Sequence, residues 1–242
     1  MRGDHLWPGR VSLLPDESFS SWFARTAVAN GLRPGELYRI VQPGEDRNPR
    51  DLDRYADDHL LHRLADRTGI EIDRLRRATF RRWEGGLFDH DYGDRKLAWL
   101  PPAGRLNGKR CFGQQACPLC MAGDREPYLR QMWRLSFISV CPVHGRLLCD
   151  RCPQCGESFS VLRQDGRRRI ACWSCGTDIR DMVSDPPPVD ARDVQRDLLG
   201  LISQGWWGLG EYGPVYSFTA FDILAHLFRV LASGRHDRGL GS

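Results

Sequence analysis

Apolar residues in the first part of the chain recur at helical spacing. Between Pro15 and Val41, Phe19, Trp22, Phe23 and Ala27 predict a helix that stops at Asn30-Gly31, where glycine suits a left-handed cap. Pro34 is placed to open a second helix, with Leu37, Ile40 and Val41 facing the same core. The same pattern returns 38 residues later: Arg25, Ala27, Gly31, Leu32, Leu37 and Arg39 align with Arg63, Ala65, Gly69, Ile70, Leu75 and Arg77. Both copies of this weak repeat have the proportions of a helix-turn-helix, whose second helix can lie in a major groove. The same geometry is a common way to pack helices, so DNA reading and partner docking both stay open.

The pattern loosens from Glu84 to Gln115, where Gly, Pro and Asn surround a brief apolar stretch at Leu97 to Leu100; this reads as irregular structure joining two modules. Pro186-Pro187-Pro188 predicts a short stiff spacer. Beyond it, Val194, Leu198, Leu201 and Ile202 mark one helix, and Phe221, Leu224, Leu227, Phe228 and Leu231 another, with Gly205 and Gly234 as their ends. Trp206, Trp207 and Tyr212 between them read as core aromatics ahead of interface ones. The expected fold is mainly α with small zinc-knuckle and β-hairpin elements. Its expected parts are an N-terminal helix-turn-helix-like module over 1–110, a tandem zinc-binding module over 111–183 and a C-terminal helix pair over 189–235. A chain of 242 residues, 41% hydrophobic, can support several such modules.

The cysteines change the picture most. Four pairs occur in sequence: Cys117-Pro-Leu-Cys120, Cys141-Pro-Val-His144, Cys152-Pro-Gln-Cys155 and Cys172-Trp-Ser-Cys175. A two-residue gap lets both side chains reach one ion, and Gly145, Gly156 and Gly176 follow three of the pairs where a left-handed turn is useful; Met121 is the exception. Taken in order they give C-x2-C-x20-C-x2-H and C-x2-C-x16-C-x2-C, and thiolate-rich tetrahedral sets select zinc, two ions per chain. Cross-brace pairing of first with third and second with fourth is the alternative. Cys111 and Cys149 are left over as packing residues. No apolar run suits a signal peptide or a membrane span, so a cytoplasmic location is expected, where paired cysteines are metal ligands sooner than disulfides. Four protein ligands per site leave no open position of the kind a catalytic zinc keeps, and neither a H-E-x-x-H nor a deaminase pattern is present.

Formal net charge is only +4, yet Lys96 and Lys109 are the only lysines among 35 basic residues. Arginine suits phosphate and guanine edges, although a GC-rich genome also favours it without functional cause. The candidate nucleic-acid or partner contacts are Arg33 and Arg39 in the first helical copy, with Glu36 and Tyr38 beside them. In the second they are Arg74, Arg76, Arg77, Arg81 and Arg82, and between the knuckles of the second metal set Arg167, Arg168 and Arg169 on an expected hairpin tip. The second copy is the more basic and the one expected to meet phosphates, because counterion release rewards clustered arginine. Two further motifs carry little. Asp89-His90-Asp91-Tyr92-Gly93-Asp94 reads as a solvated turn before a nuclease metal site, and Gly104 to Arg110 is one residue short of a phosphate loop and ends in Arg, so no ATP site is expected.

Several of these segments together resemble a known family. Leu14-Pro15-Asp16-Glu17-Ser18-Phe19-Ser20-Ser21-Trp22-Phe23-Ala24-Arg25, then Tyr128-Leu129-Arg130 with Trp133, and Cys141-Pro-Val-His144 leading to Cys152-Pro-Gln-Cys155-Gly156, are similar to TniQ proteins over most of the chain. The resemblance implies a non-enzymatic target-selection adaptor of a bacterial transposon, related to TnsD. Such an adaptor links a target-recognition element to an AAA+ ATPase that recruits the transposase. In some such elements a CRISPR effector with its guide RNA performs the recognition and the TniQ-like protein rides on it, sometimes as a homodimer. The chain is short beside TnsD-type relatives that read a fixed attachment site, which favours an adaptor over a sequence reader. The resemblance carries over the eight zinc ligands, but no residue for ATPase or DNA contact. A stand-alone zinc and helix-turn-helix transcription regulator is the alternative.

Overall fold

The computed structural model describes residues 6–44, 51–90, 97–165 and 171–236. Helix α1 (Phe19–Ala29) starts where the Ser18 hydroxyl accepts from Ser21 N, and it wholly buries Phe19, Trp22, Phe23 and Ala27. Asn30 caps it, Gly31 follows at φ +72°, and α2 (Pro34–Val41) opens on the proline. Leu37 and Val41 are buried, but Ile40 is 56% exposed, contrary to expectation. Leu37 and Val41 stand one turn apart on a single face, and Ile40 falls at its rim.

After α3 (Leu52–Tyr55) the pattern repeats. Helix α4 (Asp58–Thr68) is eleven residues long like α1, ends on Gly69 at φ +75°, and leads into α5 (Ile72–Ala78) with Leu75 buried where the first copy buries Leu37. A 3-10 turn over Phe80–Trp83 follows.

The segment expected to be irregular holds a hairpin instead. Strands β1 (Ala103–Leu106) and β2 (Lys109–Phe112) pair antiparallel with Leu106 opposite Lys109. Asn107 and Gly108 make the two-residue turn, at φ +49° and +78°. Both positive φ values match a type I′ turn, which Asn-Gly favours. Next come α6 (Pro118–Gly123) and, after the cysteine-rich region, α7 (Ala191–Gln204), which ends on left-handed Gly205 as expected. Strands β3 (Trp206–Gly208) and β4 (Pro214–Tyr216) form a second antiparallel ribbon before α8 (Ser217–His236), which runs through Gly234 instead of ending there. Trp206 and Tyr212 are 55% and 79% exposed, and Trp207 is also exposed. They are therefore not core: the ribbon rests on α7 and α8 from behind and nothing described covers its outer side. No described helix is long and apolar enough to cross a membrane.

The hydrophobic core is continuous from Phe19 to Phe221. The C-terminal helices join it through apolar packing of Leu198, Leu199, Leu201 and Ile202 and through polar contacts. The Trp99 indole donates to Phe221 O at 3.0 Å with its ring edge-on to the Phe221 ring, and the Gln195 carboxamide both donates to Val140 O and accepts from Val140 N.

At the centre lies a charge. Arg134, 1% exposed, donates to both Asp51 carboxylate oxygens, to Asp53, to Gly113 O and to Pro101 O, which uses all five of its N–H groups. Its guanidinium also lies 4.7 Å over the Phe80 ring. Asp53 accepts from Ser20 N while its own N–H donates to the Ser20 hydroxyl, and Asp51 accepts from Ala103 N. Burial pushes the Asp53 carboxyl up to about 6, with the Arg134 charge opposing that rise. Removing the guanidinium leaves two buried acids without their partner. Arg134→Ala is therefore expected to lower stability by about 3–5 kcal/mol in urea denaturation, and an unchanged midpoint would contradict this reading.

Candidate metal centres and contact surfaces

Two ligand clusters form. Cys117, Cys120, Cys141 and His144 make one, and Cys152, Cys155, Cys172 and Cys175 the other, with the ligand atoms of each set within 4.8 Å of one another. Consecutive pairs are thus joined, and the cross-brace alternative is not what the structure adopts.

Three knuckles share one backbone turn. The N–H groups of Cys141, Cys152 and Cys172 donate to Arg146 O, Glu157 O and Thr177 O, and those of Gly145, Gly156 and Gly176 donate back to the three cysteine carbonyls. These glycines sit at φ +63°, +67° and +78°, where a side chain would be strained. The fourth knuckle needs no glycine: Cys117 caps α6, Pro118 takes the first helical position, and Met121 N closes a helical bond to Cys117 O at 3.0 Å.

Ligand spacing fits a small tetrahedral ion. In the first cluster His144 Nδ1 lies 3.6, 3.3 and 3.6 Å from the sulfurs of Cys117, Cys120 and Cys141, and Cys120 Sγ lies 3.6 Å from Cys141 Sγ. In the second, Cys152 and Cys175, and Cys155 and Cys172, are each 3.6 Å apart. A tetrahedron with metal–sulfur bonds of about 2.3 Å has edges of about 3.8 Å. The arrangement is compatible with two zinc ions. Hydrogen bonds from Thr177 hold the Cys175 thiol down to about 6, while burial drives Cys172 up to about 12. Cys111 and Cys149 stand outside both clusters; their thiols face Lys109 O and Val183 O.

The clusters brace the fold. The 3-10 turn Val161–Arg163, just past the third knuckle, packs on α1 and α2, and the turn Ile179–Asp181, just past the fourth, packs on α6. Two of the segments quoted for their family resemblance also meet, through an antiparallel bridge of Glu17 with Arg130. Ser18 N donates to Leu129 O, Gln131 N to Asp16 O, and Leu129 N to the Ser21 hydroxyl. Buried Glu17 binds Arg25 at 2.6 Å and accepts from the Ser21 hydroxyl, while Arg130 forks onto Asp124.

The structure separates the basic residues into two groups. Arg74 donates to Leu13 O, Arg76 pairs with Asp58 and Asp73, Arg81 with Asp58, and Arg82 with Asp16 and the Gln131 carboxamide. Arg77 is exposed on α5. Most of this basic run is thus engaged within the protein. Arg33 and Arg39, in contrast, are exposed on α2 with no ion pair among the described residues. Arg167, Arg168 and Arg169 lie outside the described residues, as does the run from Asp91 to Asp94.

Metal analysis is expected to find two zinc ions per chain. Cys172→Ser should release one of them and melt the region around the second cluster, because metal binding and folding are coupled; Cys149→Ser should keep both. One ion or none in the unaltered protein would sink this account.

No curated protein matches the chain. The TniQ family model, however, matches residues 8–148, more than half of the 242. The matched span holds both of these joined segments, Arg134 with its two acids, and the first ligand cluster. The chain belongs to the TniQ family.

Proposed function

We propose that the protein is a non-enzymatic adaptor in transposition target selection. In this reading it binds DNA or a target-recognition complex, such as a CRISPR effector with its guide RNA, and recruits an AAA+ transposition regulator. Family membership carries the proposal. The ligand sets support it, since each supplies four protein ligands and so has the form of a structural site.

Coupling by binding is the mechanism: an adaptor holding two partners raises the concentration of one beside the other. The surfaces suit that work. Leu227, Phe228 and Leu231 are exposed on α8, and Trp206 and Tyr216 on the neighbouring ribbon, an apolar face fit for a protein partner, whether the ATPase, an effector subunit or a second copy of the chain. The paired helices of the repeat favour a second reading, a stand-alone zinc and helix-turn-helix transcription regulator working without any ATPase. We place the protein in the cytoplasm and take 1–110, 111–183 and 189–235 as its three working modules.

Affinity purification from the native host separates the readings. The adaptor is expected to bring down an AAA+ ATPase or effector subunits. Recovery of specific promoter DNA with neither protein would favour the regulator.

A further inference from the structure

Three arginines without an ion pair among the described residues converge from two distant parts of the chain. Helix α2 and the second metal cluster enclose a groove of about 360 Å³, with Arg33, Glu36 and Arg39 on one wall and Arg163, Gln164 and Trp173 on the other. We propose that this groove seats the phosphodiester backbone of a nucleic acid, with Arg33, Arg39 and Arg163 as its cations. The inference deepens the adaptor reading and rests on it only for taking nucleic acid as the ligand class.

Three features point to phosphate. First, charge is unbalanced: Arg33, Arg39 and Arg163 are all exposed and make no ion pair among the described residues. The one carboxylate lining the groove, Glu36, is already accepting from Arg33 N at 2.7 Å, where it closes the first turn of α2. Second, the cations are mounted on a firm frame. Val161 and Leu162 are buried, the Val161–Arg163 turn packs on α1 and α2, and Trp173 Nε1 donates to Ser158 O at 3.0 Å. Arg163 lies 4.8 Å over the Trp173 ring, which orients its guanidinium plane and leaves its N–H edges for an anion. Third, the groove lacks what an acidic peptide would need. Its one large aromatic, Trp173, is covered by Arg163, and peptide recognition leans on open apolar or aromatic anchors. Arg105 approaches the same ring at 5.9 Å, but its charge is spent on Glu157 at 2.6 Å.

The test uses the full zinc-loaded chain and fluorescence anisotropy with two labelled probes, a duplex DNA of arbitrary sequence and a hairpin RNA, between 50 and 200 mM salt. The R39E/R163E variant changes two exposed side chains, and unchanged zinc content and circular dichroism confirm its fold. It is expected to bind at least tenfold more weakly at the lowest salt, with a log–log salt slope shallower by about 2. R39K/R163K should keep most of the slope, since lysine preserves the charge. Arg76→Ala, at a residue already paired with Asp58 and Asp73, should bind like the parent. Loss for DNA alone, RNA alone or both supports the groove and names its source. Unchanged affinity and slope in R39E/R163E, no binding of either probe by the parent, or equal competition by polyglutamate would overturn the proposal. A failed groove leaves recovery of the ATPase untouched, and promoter DNA without an ATPase leaves the groove standing.

Discussion

A guanidinium buried inside a protein must have all of its donors met, and meeting those of Arg134 decides how distant parts of this chain are held. Its partners come from the loop before α3, from α3 itself, and from both ends of the hairpin segment, while Phe80 supplies the face beneath it. Asp53 passes the constraint on to Ser20 at the start of α1, and Asp51 to Ala103 at the start of β1. The helical repeat, the hairpin and the metal-binding region are thereby tied to one charged node. Burying so much charge gains little over an apolar core of the same volume. What it adds is geometry, because few other arrangements satisfy five donors and two acids together.

The metal clusters were the most legible part of the sequence, and the reason is local. Ligands separated by two residues, with glycine at the fixed place that the turn requires, write their geometry into a six-residue window, as Cys152 to Glu157 shows. Helices α1, α4 and α7 were equally plain, since periodicity and a glycine or asparagine stop agree in each. The hairpin at Asn107-Gly108 is also written in the sequence as a two-residue turn signal, over the same residues that resemble a phosphate loop. Gly234 misled in the opposite sense, for a glycine permits a helix end without requiring one.

What could not be read depends on partners far away in the chain. Periodicity places Trp206 and Ile40 on a face but does not say whether anything covers it. The basic run from Arg74 to Arg82 looked like the stronger phosphate binder because Asp16 and Asp58 stand apart from it in sequence, yet those carboxylates take much of its charge. The pairing of Arg134 with Asp51 and Asp53 spans 83 and 81 residues, and no local pattern announces it.

That last separation sets an order on synthesis. The chain emerges N-terminus first, so Asp51 and Asp53 leave the ribosome before the residue that neutralises them exists. At about 5–20 residues per second, the wait for Arg134 is roughly 4–16 seconds. During that time the N-terminal helices can form and associate, but closing their core over two unmatched acids carries the cost of burying an unpaired carboxylate or of protonating it. Arg134 removes that cost when it arrives, so the N-terminal core gains its charge balance only after the first ligand pair, Cys117 and Cys120, has been made.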